Sequence, residues 1–388
     1  MEKWQEYKLA DVCSRLRSGK GIKSDSVLDL GPYPVIGGNG IRGYANESNF
    51  KGECAVIGRQ GAYCGNVRFY EGEAYMTEHA VVVVGNELAD TRFLACLLSL
   101  MHLGNLSAQS AQPGISVQTL SKQIVRLPSI DYQKRVSSII KSLDGKIEVN
   151  RRINDNLEQQ AQALFKSWFV DFEPFKDHPF VESELGKIPQ GWRVGTLDEI
   201  GDVIGGSTPS KVRSEYYTEN GIAWLTPKDL SVSNAKFTAK GETDITQEGY
   251  NSCSTKLMPK GTVLFSSRAP IGYITIAKNE ICTNQGFKSV VPGYAGTAFI
   301  YCYLKAATPD IENKATGSTF KEASGSLMKS LQLKIAPKDI MDSFEKRLKP
   351  IFDEQECIED ESRRLAELRD TLLPRLMSGE LSVNDIKE

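Results

Sequence analysis

The second half of the chain places polar side chains suited to base recognition at the expected ends of strands. Arg268 follows a short apolar run that is typical of a buried strand, which would give the side chain a rigid platform. Asn284 and Gln285 come a little later in the chain. In the DNA major groove, arginine suits guanine, and asparagine or glutamine suits adenine. A surface or ion-pair role for Arg268, and turn capping by the two amides, are the alternatives.

Other polar side chains on expected loops extend this set. In the second half they are Ser207, Thr208, Lys211 and Lys228. In the first half the counterparts are Arg59, Gln60, Glu78 and His79, with Asn39, Arg42 and Tyr63 on loops. A glutamate such as Glu78 can accept from the amino group of cytosine, or it can pair with a lysine. Four lysines are better placed to hold phosphates, which position a protein without specifying sequence: Lys20, Lys23, Lys211 and Lys228.

These candidates fall at matching places because the chain repeats itself. Lys51-Gly52 and Lys260-Gly261 each open a turn, a buried strand and then an arginine, Arg59 or Arg268. Gly65 matches Gly272, and Thr77-Glu-His matches Thr283-Asn-Gln. The glycine-rich segment 31–40 does not match the GxGxxG motif, and it is either a recognition loop or an ordinary hairpin turn.

The clearest repeat is a helical seam in which positions alternate spacings of four and three. Its first copy is Val136, Ile140, Leu143, Ile147, Asn150, Asn154, Leu157, Ala161, Leu164 and Trp168. Adding 208 gives Phe344, Leu348, Ile351, Gln355, Ile358, Ser362, Leu365, Arg369, Leu372 and Leu376. Each helix would be roughly 60 Å long and must pack on something, most simply on the other. The polar positions weaken the seam but can fix its register.

The resulting layout is a mixed α/β chain with two α/β domains and two long helices. Domain one spans 1–130, the first helix 131–172, a Pro- and Gly-rich linker 173–190, domain two 191–337, and the second helix and tail 338–388. Pro374 is expected to end or kink the second helix, because proline removes a hydrogen bond and clashes with the preceding turn. Aromatic and leucine residues near the helix ends either pack in a core or dock a partner: Trp168, Phe169, Phe172, Leu372 and Leu376.

Composition narrows the class without naming a function. The 388 residues carry a net charge of −2, but residues 1–130 carry 13 Lys and Arg against 12 Asp and Glu, and residues 185–336 carry 17 against 13. Such a small basic excess predicts weak DNA binding without partners. The start has no secretory signal and no apolar run is long enough to span a membrane, so a cytoplasmic protein with reduced thiols is expected. The eight cysteines form no CxxC pair, and no metal site is expected.

Motifs that would make the chain an enzyme are absent. No GxxxxGK[ST] phosphate loop and no GxSxG or HExxH motif occurs. Nor is there an Asn-Pro-Pro-Tyr or Asp-Pro-Pro-Tyr run, with which N6-adenine methyltransferases hold a flipped base. We therefore expect no catalytic residues in this chain.

Several of these segments resemble the specificity subunits of type I restriction-modification systems. The stretch 365–381, LAELRDTLLPRLMSGEL, resembles their C-terminal conserved helix, and 157–172, LEQQAQALFKSWFVDF, resembles the central one. GGSTPS at 205–210, FSSRAPIG at 265–272 and TNQG at 283–286 resemble parts of their target recognition domains. The first domain departs from the GGSTP pattern, with Arg17-Ser-Gly19-Lys-Gly21 in that place, so its contacts are harder to place by analogy.

The resemblance implies a fold and a function. Two target recognition domains would each read half of a split, asymmetric DNA sequence, and the two helices would form an antiparallel coiled coil that sets the gap. Two adenine methyltransferase subunits, and possibly motor-nuclease subunits, would assemble on this chain in a phage-defence system. S-adenosylmethionine, ATP and magnesium would be bound by those partners, and this chain would bind no cofactor.

Two other classes compete with this hypothesis. A coiled-coil adaptor that binds only proteins would have the same repeat and helices. A stand-alone nuclease or methyltransferase with an unfamiliar site would need catalytic motifs that the sequence lacks.

Overall fold

The computed structural model describes residues 3–107, 114–232, 235–268, 270–317 and 321–383. The chain forms two compact units. Unit 1 contains Met1–Ile147 together with Arg364–Glu388, and unit 2 contains Glu148–Arg363. Each unit therefore combines one α/β region with a part of each long helix.

Unit 1 is built on a six-stranded sheet. Its elements up to the first long helix are β1 (Gln5–Lys8), β2 (Cys13–Ser18), β3 (Tyr33–Gly37), β4 (Gly40–Ala45), β5 (Phe50–Gly58), β6 (Val67–Met76), β7 (Ala80–Gly85), α1 (Thr91–Leu100), α2 (Val117–Ser121), β8 (Ile124–Leu127) and α3 (Ile130–Phe169). The sheet order is β2-β7-β5-β6-β3-β4, and β1 pairs separately with β8. Strand β7 reads Ala-Val-Val-Val-Val-Gly, an apolar run typical of a central strand.

Unit 2 repeats this plan. Its elements are β9 (Phe180–Val181), β10 (Ile188–Pro189), β11 (Arg193–Thr196), β12 (Gly201–Gly205), β13 (Tyr217–Thr218), β14 (Trp224–Leu225), α4 (Pro227–Val232), β15 (Phe237–Thr238), β16 (Asp244–Ile245), α5 (Gln247–Asn251), β17 (Val263–Ser267), β18 (Ile271–Ala277), β19 (Cys282–Thr283), β20 (Lys288–Pro292), α6 (Thr297–Lys314), α7 (Gly325–Lys329), β21 (Gln332–Ile335) and α8 (Lys338–Ser378). The main sheet has the order β12-β20-β17-β18-β15, and β11 pairs separately with β21.

The two sheets share one topology, as the sequence repeat predicts. The order β2-β7-β5-β6 in unit 1 corresponds to β12-β20-β17-β18 in unit 2, and β1-β8 corresponds to β11-β21. Gly65 and Gly272, the matched glycines, both have positive φ values, +82° and +99°. At each of them a Cβ atom would collide with the segment packed against it, so only glycine fits.

The two long helices run antiparallel within each unit. In unit 1, Arg369 Nη1 lies 2.9 Å from Asp144 Oδ1, and the Tyr132 hydroxyl donates to the Leu381 carbonyl oxygen at 3.1 Å. In unit 2, the rings of Phe165 and Phe344 lie 6.3 Å apart. All twenty seam positions are buried or half-buried. The predicted helical seam is therefore confirmed within each unit.

Polar side chains in the seam of unit 2 bond across it. The Asn150 amide donates to Glu361 Oε2 at 2.7 Å and to Ser362 Oγ at 3.2 Å. Gln355 donates to the backbone carbonyl oxygen of Asn154 at 3.3 Å. Since Asn150 is only 1% exposed, a shift of the helices by one turn would leave its amide unpaired in a dry seam. These bonds select the register.

Pro374 was expected to end or kink the second helix, and the first of these two expectations is wrong. Helix α8 continues through Pro374 to Ser378. Leu376, two residues after the proline, is fully buried in the core of unit 1. Burial of this last turn outweighs the loss of one backbone hydrogen bond to proline.

Segment 173–190, expected to be a linker, is folded onto unit 2. Strands β9 and β10 pair antiparallel, and Phe175 and Ile188 are buried. Phe169 and Phe172 are also buried, and the Phe172 ring lies 5.3 Å from the ring of Trp192. Trp168 packs partly buried on the same core. The residues near this helix end therefore pack in the core, as one of the two interpretations of the sequence held.

In each unit a residue of a long helix takes part in capping a shorter helix, but in a different way. In unit 1, the Asp90 side chain accepts from the backbone N–H of Phe93 at 2.9 Å and also accepts from Ser137 of α3. In unit 2 the corresponding helix starts after Gly296, which has no side chain to cap it. There Glu345 of α8 accepts from the backbone N–H of Ala298 at 3.1 Å. Positions 137 and 345 are 208 apart, so they are equivalent in the repeat. The helix cap is present in both units, but Asp90 with Ser137 makes it in unit 1 and Glu345 makes it in unit 2.

A buried ion pair fastens the unit 2 sheet to the helices. Lys236, 6% exposed, lies with its Nζ 2.8 Å from Glu158 Oε2 and 3.4 Å from the ring centroid of Phe352. Lys305 Nζ lies 2.7 Å from Glu158 Oε1. Burial by itself raises the pKa of Glu158, but the two ammonium groups outweigh it and lower the pKa to about 2. Burial lowers the pKa of Lys236 despite the attraction of Glu158.

The ion pair makes stability depend on pH in a defined window. The pKa of Glu158 falls from 4.5 to about 2 on folding, so its ionised form stabilises the chain above pH 4.5. This contribution, about 3 kcal/mol at most, is lost as the pH falls from 4.5 towards 2. We expect Glu158→Gln to be less stable than wild type at pH 7, and the difference in melting temperature to shrink at pH 3.5. The control Glu148→Gln alters an exposed carboxylate of the same helix. An equal difference at both pH values would contradict the assignment.

Candidate nucleic-acid interface

The ends of three strands meet around a cleft of about 750 Å³ in unit 2. Arg268 follows β17, Asn284 follows β19, and the loop beginning at Gly206 follows β12. Six of the predicted residues line this cleft: Thr208, Lys211, Lys228, Arg268, Asn284 and Gln285. The seventh, Ser207, does not line it, but its carbonyl oxygen accepts from the indole N–H of the lining residue Trp224 at 3.1 Å. The fold therefore brings together residues that are up to 78 positions apart in sequence.

A glycine lets the first loop lie against β19. A Cβ atom on Gly206 would stand 2.1 Å from the carbonyl oxygen of Asn284 and 2.3 Å from that of Thr283. Next to it, the backbone N–H of Ser207 donates to the Thr283 carbonyl oxygen at 2.9 Å. Any side chain at 206 would push the loop away from the strand and spread the cleft.

Arg268 is held in place without being buried. Its Nη1 lies 3.6 Å from Glu322 Oε2, its side chain is 35% exposed, and Lys288 shares the same carboxylate. The backbones of Arg268 and Glu322 also form an isolated bridge. The ion-pair role considered for Arg268 is thus present. A long exposed pair of this kind contributes little stability, so it orients the guanidinium more than it strengthens the fold.

The two amides have their oxygen atoms engaged. Asn284 Oδ1 accepts from the backbone N–H of Gly286 at 2.8 Å, which is the turn-capping role considered from sequence. Gln285 Oε1 accepts from the hydroxyl of Thr208. Both side chains line the cleft, and among the described residues neither amide NH₂ group has an acceptor.

The two lysines lie on the rim. Both are exposed, and Lys228 Nζ lies 2.8 Å from Glu242 Oε2. That hydrogen bond raises the pKa of Lys228, so the ammonium stays charged. Such mobile charges fit phosphate contacts better than base contacts.

Two aromatic residues of this cleft were missed from the sequence. Tyr217 and Trp224 line it, with ring centroids 5.9 Å apart. The Tyr217 hydroxyl donates to the Pro209 carbonyl oxygen at 2.7 Å. Tyr217 and Trp224 therefore each donate a hydrogen bond to the backbone of the loop that carries Thr208, and they hold this loop in place. No local motif marks them, because their partners come from a loop earlier in the chain.

Unit 1 gathers an equivalent set of strand ends. The backbone N–H of Arg59, after β5, donates to the carbonyl oxygen of His79 at 3.0 Å, and that of Lys20, after β2, donates to Met76 at 2.9 Å. The segment 31–40 is a hairpin of β3 and β4, and its turn residue Gly38 lies against His79. Lys20, Arg59, Glu78 and His79 therefore lie at one edge of the sheet, with the Asn39 turn beside them.

The side chains at this edge differ from those of unit 2. Glu78 Oε1 lies 3.2 Å from Nε2 of His79, so among the described residues its partner is the neighbouring histidine and not a lysine. Asn39 Oδ1 accepts from Arg68 at 3.1 Å, and Arg68 was not anticipated. Nothing in the local sequence links the two, because the hairpin brings them together.

The remaining candidates of unit 1 lie on exposed positions around this edge. Gln60 forms an isolated bridge with Gly114, Tyr63 is 51% exposed in a short turn, and Arg42 lies on β4 with its side chain beside Gly37. Lys23 lies exposed just before the 24–26 turn, and no contact within the described part of the chain joins it to the others.

The two edges share a backbone frame. Thr77 and Thr283 are both fully buried, and neither hydroxyl has a hydrogen-bond partner among the described residues. A Cβ atom on Gly19 would stand 2.1 Å from the Met76 carbonyl oxygen, as one on Gly206 would meet Thr283. Gly19 therefore does in unit 1 what Gly206 does in unit 2, although the GGSTP pattern is missing there.

No metal site accompanies either edge within the ranges that the structure describes, since no three His, Cys, Asp or Glu side chains cluster there. Within the same ranges, no helix is both long and apolar enough to cross a membrane.

This architecture is that of a two-fold repeated α/β chain with loops gathered at one edge of each sheet. Its sequence matches the family described as type I restriction modification DNA specificity domain, over residues 1–159 and 189–367. The chain belongs to this family. The resemblance found in the sequence to the specificity subunits of type I restriction-modification systems is confirmed.

Known proteins agree with this assignment. Over 157 residues, 40% of this chain and 36% of its relative, the chain is 41% identical to the specificity subunit of the type I restriction enzyme MjaIX of Methanocaldococcus jannaschii. It is 28% identical to the HindI specificity subunit of Haemophilus influenzae over 330 residues, 69% of this chain and 71% of that subunit.

A solved structure confirms the fold class. The crystal structure of a type I restriction-modification S subunit from M. genitalium covers 97% of this chain and 96% of its own, with a TM-score of 0.66 at 16% identity. At this identity the match concerns the fold alone. The mixed α/β repeat with two long helices is thereby confirmed.

The close approach at Gly206 is testable with a neighbouring glycine as control. Gly206→Ala should displace the Ser207–Thr208 loop at a cost of roughly 1–3 kcal/mol and weaken target binding. Gly205→Ala should be tolerated, because its Cβ would meet nothing closer than Lys288 Cδ at 3.9 Å. Melting temperature and gel-shift titration of the two variants are the measurements. Equal behaviour of the two variants would contradict the role of Gly206.

Proposed function

We propose that this chain reads a bipartite, asymmetric DNA sequence, one half with the loop edge of unit 1 and the other with the cleft of unit 2. The proposal rests on one observation: the two units share a backbone arrangement at the loop edge, but the side chains at equivalent positions differ. Gly19 and Gly206 support equivalent loops, while Glu78 and His79 of unit 1 stand where unit 2 has Asn284 and Gln285. Two equal frames with unequal side chains favour two half-sites of different sequence.

The distribution of charge supports a recognition subunit that needs partners. Its net charge of −2 supplies little of the phosphate neutralisation on which DNA affinity depends. Several basic side chains near the edges already have acidic partners, such as Lys228 with Glu242 and Arg268 with Glu322. We therefore propose that partner subunits supply much of the affinity and this chain supplies the choice of sequence.

The proposed partners are adenine methyltransferase subunits. The internal repeat gives two similar surfaces, so two copies of one methyltransferase can bind this chain. Motor-nuclease subunits join the complex in the complete restriction system. In this proposal the partners bind S-adenosylmethionine, ATP and magnesium, and this chain binds none of them.

Genome-wide mapping of methylated adenines tests the proposal. The host strain is compared with a strain lacking this chain and with one that carries Gly206→Ala. A split motif should be methylated in the first strain and lose its methylation in the second. Gly206→Ala should reduce methylation of the same motif. Unchanged methylation in the strain that lacks this chain would overturn the proposal and favour the protein-binding adaptor.

The helices are proposed to set the gap between the two half-sites. Inserting seven residues into α3 and seven into α8, near the residues where the two units divide, keeps the seam in phase. At 1.5 Å per residue this adds about 10 Å. We expect the methylated motif to keep both half-sequences and to gain about three base pairs in its gap, read by the same mapping. Insertion of a single residue in each helix should break the seam and abolish methylation. A gap unchanged by the seven-residue insertion would contradict this role.

A further inference from the structure

The carboxylate and amide side chains of the unit 2 cleft accept hydrogen bonds from within the protein. Four carboxylate or amide side chains line it, and each has an oxygen bonded to a donor of this chain: Asp229, Glu242, Asn284 and Gln285. Asp229 is the most fully engaged, since it accepts from the backbone N–H and hydroxyl of Thr226 at 2.7 Å and from the backbone N–H of Glu242 at 2.9 Å.

The donors of the same side chains remain. Within the described ranges, the NH₂ groups of Asn284 and Gln285 have no acceptor in the protein. The guanidinium of Arg268 carries five N–H donors, and its one contact with the described residues is long, at 3.6 Å to Glu322. The three central side chains, Arg268, Asn284 and Gln285, therefore offer donors to a ligand, although the two amides could in principle offer both donors and acceptors.

Arg268 is the best placed of these donors for a specific contact. It follows β17, whose five residues are all buried, and its backbone bridges to Glu322. Little conformational freedom is lost when a side chain on such a platform binds. Lys211 and Lys228, in contrast, are exposed on the rim.

The four bases present different edges in the major groove. Guanine offers two acceptors, N7 and O6, whereas adenine offers N7 and the N6 amino donor, and cytosine offers an amino donor. An adenine or cytosine in contact with this cleft would set its amino group against further donors. The planar fork of arginine matches the two acceptors of guanine.

We propose that the cleft of unit 2 reads a guanine through the major groove, with Arg268 as the specificity-determining residue. Glu322 acts as its positioning residue, and the amide NH₂ groups of Asn284 and Gln285 donate to acceptor atoms beside it. This replaces the expectation that the two amides select adenine. The inference rests on the proposed function, because it names the base that one of the two domains reads.

The test uses the full chain in complex with its methyltransferase subunits and a duplex that carries the mapped motif. Each guanine of the motif is replaced in turn by 7-deazaguanine, which lacks the N7 acceptor, or by inosine, which keeps N7 and O6. At one guanine we expect 7-deazaguanine to weaken binding roughly 10- to 100-fold and inosine to change it by less than about 2-fold.

Variants then assign that guanine to Arg268. Arg268→Ala should weaken binding to the normal duplex by a similar factor and cause little further loss on the 7-deazaguanine duplex. Arg268→Lys should keep part of the affinity while accepting other bases at this position, because lysine keeps the charge and loses the fork. Lys260→Ala is the control. Lys260 is also basic and exposed, but it lies just before the start of β17, at the opposite end of the strand from Arg268. Melting temperatures of all variants exclude misfolding as the cause.

The outcomes separate the two proposals. If the wild-type complex binds no specific motif, the proposed function fails. If it binds one, but no guanine responds to 7-deazaguanine, or Arg268→Lys keeps every base preference of wild type, then sequence reading stands and the assignment to Arg268 is overturned.

Discussion

The fold depends on the burial of one apolar seam between two helices that are far apart in the chain. Helices α3 and α8, of 40 and 41 residues, each present positions that no single α/β region could cover. Because the helices pair antiparallel, the end of α8 returns to the first α/β region, where Leu376 is buried and Tyr132 donates to the Leu381 carbonyl oxygen. Each unit is therefore closed by segments from both halves of the chain. The free energy of this burial stabilises both copies of the repeated fold, and these two copies carry the loops.

The contacts that join helices to sheets show how two copies of one plan diverge. In unit 1 a serine of the long helix supports a helix cap made by Asp90. In unit 2 a glutamate at the equivalent helix position makes the cap itself. Unit 2 also buries Lys236 between Glu158 and aromatic rings. The cost of removing such polar groups from water offsets much of the energy that their contacts contribute. A shift in packing would break these contacts and leave the groups buried without partners, so the contacts hold each sheet in one position on its helices.

The recognition loops follow the same logic. A glycine without a side chain brings a loop onto the buried threonine strand in each unit. The backbone arrangement is thus set by close packing that any change of side chain would disturb. The residues that project from it are free to differ, as Glu78 and Asn284 do. A protein that recognises two different half-sequences requires the same backbone arrangement in both units and different side chains on it.

The sequence by itself determined the elements whose signal is local and periodic. The seam showed the two helices because apolar positions at spacings of three and four leave a helix few other arrangements. The doubled topology followed from matched turns such as Lys51-Gly52 and Lys260-Gly261. Polar residues chosen by type at expected strand ends and on expected loops include six that line one cleft, Arg268 among them.

Tertiary structure decided what depends on partners distant in sequence. Proline 374 lies within a helix because the turn after it is buried. The segment 173–190 is folded because Phe175 and Ile188 find a core. Above all, the oxygen atoms of Asn284 and Gln285 accept hydrogen bonds within the protein, which leaves the amide NH₂ groups as donors. The residue type alone does not show which atoms of an amide will be engaged. Hydrogen-bond partners are set by the close approach of whole loops, which is a property of packing and not of local sequence.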